Sequence, residues 1–156
     1  MIEPFKVNPD IISRHAHTGI DSPKVEFNNL ANRRHHLTHS IYGTDAATAT
    51  NFGVIFIAPF PCYISAIQEV HQTAGNDAGD VGLTIEKLTG TQALDAGVSL
   101  LSGTISLKAT ANTVQNGTLT GTLTSLQMNI GDRLALKDTG TLTNVVNVTV
   151  YTEITY

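Results

Sequence analysis

The sequence feature that most constrains the fold is an alternation of apolar and polar residues in the last third of the chain. In "NVVNVTVYTEI" the apolar set is Val146, Val148, Val150 and Ile154, and the polar set is Asn147, Thr149, Tyr151 and Glu153. Successive side chains of a β-strand point to opposite faces of the sheet. This stretch therefore predicts an antiparallel strand with one buried and one solvated face. The stretch "DRLALKD" repeats the pattern, with Leu134 and Leu136 opposite Arg133 and Lys137.

Earlier stretches predict further strands. The stretch "DVGLTIEKL" predicts a core face and a solvated face, formed by Val81, Leu83 and Ile85 and by Gly82, Thr84 and Glu86. The stretch "NFGVIFIA" is an almost continuous apolar run, which predicts a strand covered on both faces. We expect Glu69 and Glu153 on solvated strand faces and His71 at a sheet edge or an interface.

Turn signals separate these strands at short spacing. The connections "AGNDAGD", "LSGT", "QNGT", "NIGD" and "KDTGT" are rich in Gly, Asn and Asp. Such strands and turns favour an all-β fold, an antiparallel β-sandwich or jelly roll, over a parallel α/β sheet. Helix is expected for a turn or two at most, with one short candidate in "FNNLANRRHHLTHSIYG".

Composition suggests two parts, an extended N-terminal arm with its linker over residues 1–50 and the β-domain over 51–156. The linker "GTDAATATN" is small and polar. The arm carries apolar residues that are too thinly spread to build a core. They are Phe5, Val7, Ile11, Ile12, Ile20, Val25, Phe27 and Leu30. Apolar side chains without a core of their own usually mark an interface, so we expect the arm to lie on a partner.

Several functional classes are disfavoured. A net charge of −4 without a basic stripe argues against binding to nucleic acid. The N-terminal decapeptide predicts no secretory signal, and the longest apolar run is broken by Pro59 and Pro61 before it could span a membrane. The single cysteine, Cys62, lies in that run and is interpreted as a buried thiol. No nucleophile with a base and no paired carboxylates stand out, so we expect no enzyme.

Histidines are the one concentration of possible metal ligands. His15 and His17 project from the same side of an extended segment. Three chains around a threefold axis would bring six imidazoles together, a cage suited to iron or nickel. The alternative is that both are solvated loop histidines. The pair His35 and His36 with His39 could place two imidazoles on one helical face, although a surface cluster is the simpler interpretation.

The segment "HAHTGIDSPKVEFNNL" adds a resemblance to these patterns. It is similar to the His-x-His and Gly-x-Asp-Ser-Pro-Lys segment that introduces many structural proteins of tailed bacteriophages, described as tail-fibre, head-fibre or minor virion proteins. The later strands look like a β-sandwich domain of phage fibre and capsid-decoration proteins. The resemblance implies that His15 and His17 match paired histidines that bind iron on the axis of some trimeric fibres. It also implies a rigid turn at Gly19, Asp21, Ser22, Pro23 and Lys24.

Together these observations predict a non-enzymatic virion protein, assembled in the host cytoplasm and located on the virion. We expect a homotrimer that decorates and cements the capsid, with the major capsid protein or other virion proteins as partners. The residues expected to contact those partners are Phe5, Val7, Ile11, Ile12, Val25, Phe27, Leu30, Arg33 and Arg34. The alternative is a tail-fibre or collar module whose β-domain binds a host receptor or glycan. A hydrolase would rest on fold analogy alone.

Overall fold

The structure is a computed structural model that describes residues 34–41 and 53–156. The described residues belong to one compact unit, Arg34–Tyr156. They form ten strands and one short helix. The strands are β1 (Arg34–Ile41), β2 (Gly53–Ile57), β3 (Cys62–Val70), β4 (Gly82–Leu88), β5 (Val98–Ser99), β6 (Ile105–Ser106), β7 (Gln115–Asn116), β8 (Gln127–Met128), β9 (Arg133–Thr139) and β10 (Val148–Thr155). The helix α1 (Leu123–Leu126) directly precedes β8.

The strands form two antiparallel sheets. The first sheet has the order β1-β10-β3-β7, and β8 also pairs with β3. The second has the order β2-β9-β4-β5, and β6 also pairs with β4. Both sheets contribute to one hydrophobic core, through Ile64, Ile67, Val150 and Ile154 from the first and Leu83, Ile85, Leu134 and Leu136 from the second. The fold is therefore an all-β sandwich, as the strand and turn patterns predict.

Burial along β10 confirms the alternation on which the fold prediction rests, and burial along β9 confirms its apolar face. In β10, Val148, Val150 and Ile154 are buried, whereas Thr149, Tyr151 and Glu153 are partly exposed. In β9, Leu134 and Leu136 are buried and Arg133 and Lys137 are less buried, but Ala135 on the opposite face is buried as well. The predicted interpretation of Cys62 as a buried thiol is also confirmed.

The prediction that β4 has a solvated face is wrong. Every residue of β4 is buried, including the polar Thr84 and Glu86. The segment after the strand folds back over this face. Thr84 Oγ1 lies 3.0 Å from Ser99 Oγ, and the Glu86 carboxylate accepts hydrogen bonds from the Asp95 and Gly97 amides. Alternation identifies which residues share a face, but it does not say what covers that face.

Two further expectations are corrected by the strand positions. The apolar run in β2 does not form a strand covered on both faces, because Val54 and Ile57 are 42% and 61% exposed in this edge strand of the second sheet. The segment Arg34–Ile41 is a strand and not a helix, so His35, His36 and His39 do not share a helical face. Pairing with β10 along all eight residues outweighs the weak local preference for a helix. This strand lies within residues 1–50, which the sequence assigns to the arm.

Candidate interaction surface

Most of the residues predicted to bind partners or metal lie outside the described residues. These are Phe5, Val7, Ile11, Ile12, Val25, Phe27, Leu30 and Arg33 for partners, and His15 and His17 for metal. Arg34 is described, at the start of β1. Its side chain is 61% exposed, and its Nη1 atom lies 3.4 Å from Glu153 Oε2. Within the unit, Arg34 thus has an acidic partner of its own.

Exposed apolar side chains gather on connected elements at one end of the sandwich, which we call the apolar end. Its members are Ile57, Phe60, Tyr63, Ile130 and Tyr156. The Phe60 and Tyr156 rings are in contact, with centroids 4.4 Å apart. Tyr63 lies opposite Thr155 across the β3–β10 ladder, on the outer face of the first sheet. Tyr156 lies with the inward-facing Ile154 in the lining of one pocket. The Phe60–Tyr156 contact therefore joins distant parts of the sequence at this end, and Tyr63 borders it from the outer face.

An apolar pocket opens at this end, with a volume of about 230 Å³. Its lining residues are His35, Phe56, Pro59, Phe60, Ile154 and Tyr156. His35 comes from β1 and Phe56 from β2, the edge strands of the two sheets. A concave apolar surface with a few polar atoms is the usual form of a binding site for another molecule.

Backbone hydrogen bonds hold the connections of the apolar end in place. The Ala58 amide donates to the Asp132 carbonyl oxygen over 2.8 Å, and the Gly131 amide donates to the Ala58 carbonyl oxygen over 2.9 Å. The Asp132 carboxylate accepts a bond of 2.8 Å from the Asn129 amide. Gly131 has a φ of +85°, which favours glycine. Ile130, 70% exposed, is thus presented on a fixed turn, and binding there would cost little ordering entropy.

No protein-family model, curated protein or solved structure matches this chain. Within residues 34–41 and 53–156, no group of three or more His, Cys, Asp and Glu side chains could hold a metal ion. In that same part of the chain, no helix is long and apolar enough to cross a membrane. The candidate surface therefore has to be interpreted from its own geometry.

A second, polar surface lies on the outer face of the first sheet. The rings of His36 and Tyr151 are stacked, with centroids 5.4 Å apart, and the Tyr151 hydroxyl is hydrogen-bonded to His36 Nδ1. Glu153 accepts a bond of 2.8 Å from Ser65 Oγ. This bond and the nearby charges of Arg34 and His36 lower the pKa of Glu153. Burial and the neighbouring Glu153 raise the pKa of Tyr151. The network places an anionic carboxylate beside two rings and a cation.

A third polar group is buried inside the sandwich, where the sequence predicts none. Glu69 and His71 have fully buried side chains, so the expectations of a solvated Glu69 and an edge or interface His71 are wrong. A bulge explains the error. Between Ile64 and Ala66 the pairing with β10 shifts by one residue, and the buried phase moves from Cys62 and Ile64 to Ile67, Glu69 and His71. In the run "IQEVH", the buried residues Ile67, Glu69 and His71 alternate with Gln68 and Val70. This alternation can be read from the sequence once the position of the bulge is known.

Proposed function

We propose that this chain is a non-enzymatic structural protein of a tailed-phage virion, which decorates and cements the capsid as a homotrimer. Its partner in this proposal is the major capsid protein or another virion protein. The sequence supports the proposal through the segment from His15 to Lys24, which resembles virion proteins. The apolar residues that precede the β-domain supply a candidate anchor.

The observation that carries the proposal is the apolar end. Small soluble domains seldom group large apolar side chains at one end unless a partner covers them there. Arg34, the first residue of β1, pairs with Thr155 at this same end. Burying each large side chain would contribute about 1.5–3 kcal/mol, and symmetric copies would multiply the effect through avidity.

The test compares virions assembled with the wild-type chain and with a double variant, Ile57→Ser with Ile130→Ser. The two residues are 61% and 70% exposed, so the substitutions should leave the folded domain stable within about 1 kcal/mol. Loss of two apolar contacts should lower affinity for the capsid at least about hundredfold. Cryo-electron microscopy of purified particles then measures the occupancy of the domain on the head, which should fall in the double variant.

Val114→Ser is the matched control. Val114 is 59% exposed and directly precedes β7, which pairs with the opposite end of β3 from Cys62. This variant should occupy particles as the wild type does. Full occupancy by the double variant would remove the apolar end from the proposal. Absence of the wild-type domain from the head would reject the decoration role itself.

A specific observation also favours the receptor- or glycan-binding alternative. The outer face of the first sheet combines the His36–Tyr151 stack with the amide pair Gln68 and Asn116, whose side chains are hydrogen-bonded over 2.8 Å. Aromatic rings beside amide and carboxylate groups suit the mixed apolar and hydroxyl surface of a sugar. Density for the domain on the tail fibres or collar of the same particles would support this alternative over capsid decoration.

A further inference from the structure

Glu69, His71 and Gln115 form a closed polar cluster between the sheets. His71 Nδ1 lies 3.0 Å from Glu69 Oε1, and His71 Nε2 lies 3.1 Å from the Ala109 carbonyl oxygen. Gln115 Nε2 donates to Glu69 Oε2 over 2.9 Å. The side chains of Glu69 and His71 are fully buried. Because a buried carboxylate is costly unless it is hydrogen-bonded, this cluster must keep its protons in defined places.

The geometry fixes how many protons the closed cluster needs. The Ala109 carbonyl oxygen can only accept, so His71 Nε2 must carry a hydrogen to bond it. A second hydrogen must lie between His71 Nδ1 and Glu69 Oε1, either as imidazolium with carboxylate or as neutral imidazole with carboxylic acid. Both forms leave the pair without net charge. The closed cluster therefore depends on one shared proton.

The cluster holds a segment that connects the two sheets, which we call the crossover segment (Leu107–Val114). It runs from β6, paired with β4 in the second sheet, to β7, paired with β3 in the first. The Asn112 amide donates to the His71 carbonyl oxygen over 2.8 Å, and Ala109 accepts the His71 ring hydrogen. The first contact is to the His71 backbone, and only the second involves its ring. A change in the protonation of the Glu69–His71 pair therefore acts on the crossover segment through the bond to Ala109.

We propose that the Glu69–His71 pair is a proton-dependent latch, which holds the crossover segment closed while the shared proton is bound and releases it as pH rises. When the shared proton leaves, neutral His71 keeps one ring hydrogen for two acceptors. The bond to the Glu69 carboxylate is charge-assisted and stronger, so the hydrogen moves to Nδ1. Nε2 then presents a lone pair to the Ala109 carbonyl oxygen, and the crossover segment loses its side-chain bond.

The surroundings of the pair supply no competing charge in the part of the chain that is described. Tyr151 lines a pocket beside Glu69, and because its pKa is raised it stays neutral over the working range of the latch. Lys108 lies on the crossover segment, but its ammonium group is bound to the carbonyl oxygens of Asp77 and Gly79. Gln115 is neutral. The protonation of the site is therefore set by Glu69 and His71.

Burial raises the pKa of Glu69 above its ordinary value of 4.5, although the adjacent His71 and its hydrogen bond act in the opposite direction. A raised pKa means that the folded state retains the proton more strongly than the open state. The stabilisation is complete below pH 4.5 and is lost as pH rises through the raised pKa. The latch therefore holds the crossover segment closed at low pH and releases it at high pH.

Hydrogen exchange of the full chain between pH 5 and pH 9, corrected for intrinsic exchange rates, tests the latch. Protection of the crossover segment should fall with rising pH by up to about tenfold per unit over the titration of the pair. Protection of the core residues Leu134–Leu136 in β9 should change little. If wild-type protection of both segments follows the same course with pH, the latch does not exist.

Glu69→Gln and Glu86→Gln form a matched pair of variants. The side-chain amide that Glu69→Gln introduces can donate to His71 Nδ1 and leave Nε2–H on Ala109 at every pH, so protection of the crossover segment should become independent of pH. Glu86 is an equally buried carboxylate in the second sheet, bound by the Asp95 and Gly97 amides, and its variant should keep the wild-type pH dependence. The latch would be overturned if protection of the crossover segment still depended on pH in Glu69→Gln. It would also be overturned if that pH dependence were lost in Glu86→Gln. If Glu69→Gln does not fold, the wild-type profile still decides.

Discussion

At the scale of single residues, lysine side chains close loops by donating to backbone carbonyl oxygens. Lys87 is a buried residue, and its ammonium group donates to the Thr124 and Gln127 carbonyl oxygens over 2.9 Å and 2.7 Å in partly buried bonds. Lys108 makes the same two bonds to Asp77 and Gly79, but it is exposed. The two residues differ in burial but make the same kind of contact. Comparing the free energies of unfolding of variants at the two positions therefore separates the effect of solvent from that of hydrogen bonding.

Lys87→Met should destabilise the domain by about 1–2 kcal/mol, because the Thr124 and Gln127 carbonyl oxygens lose a charged donor in a partly buried site. Lys108→Met should cost less than about 1 kcal/mol, since water can reach the carbonyl oxygens that it leaves. Unfolding in urea, followed by circular dichroism, measures both free energies. Equal costs for the two variants would show that burial does not govern these contacts.

At the scale of secondary-structure elements, the sequence predicts the strands far better than their surroundings. The alternation in β9 and β10 is local, and it is found directly in the residue types. The bulge that brings Glu69 into the core depends on pairing with β10, more than eighty residues further along the chain. Glu86 is covered by the loop that follows β4, and the strand pattern does not predict the path of that loop. Register and cover are tertiary properties, and for that reason strand patterns do not predict the buried polar cluster.

The connection after β9 depends on a glycine with a special backbone. Gly140 has a φ of +77°, and a Cβ atom there would collide with the carbonyl oxygen of Asp80. Gly140→Ala should therefore destabilise the domain by about 2 kcal/mol or more, measured as a lower midpoint in urea. A Cβ atom added at Gly121 would meet open space, with nothing within 4 Å, so Gly121→Ala is the control and should change stability by less than about 1 kcal/mol. A Gly140→Ala variant as stable as the control would contradict this assignment.

At the scale of the whole molecule, the proposed surface joins residues that sequence patterns do not connect. Ile57, Phe60, Ile130 and Tyr156 come from three separate parts of the chain, and strand pairing brings them to one end together with backbone hydrogen bonds between the connections and the Phe60–Tyr156 contact. The sequence predicts an apolar arm as the partner-binding element, and those residues lie outside the described part of the chain. The arm prediction and the apolar end are therefore independent arguments for one kind of function, association with a larger assembly.

The proposed trimer is testable on the purified full chain. The apolar residues of the arm are too few to form a core but numerous enough to need cover, so we expect copies of the chain to associate even without a capsid. Native mass spectrometry should give a mass three times the 16.6 kDa of one chain. If His15 and His17 meet on the threefold axis, metal analysis should find one transition-metal ion per trimer, which a variant with His15→Ala and His17→Ala should lack. A monomer at micromolar concentration would contradict the trimer, and a metal-free trimer would remove the histidine cage while leaving the assembly intact.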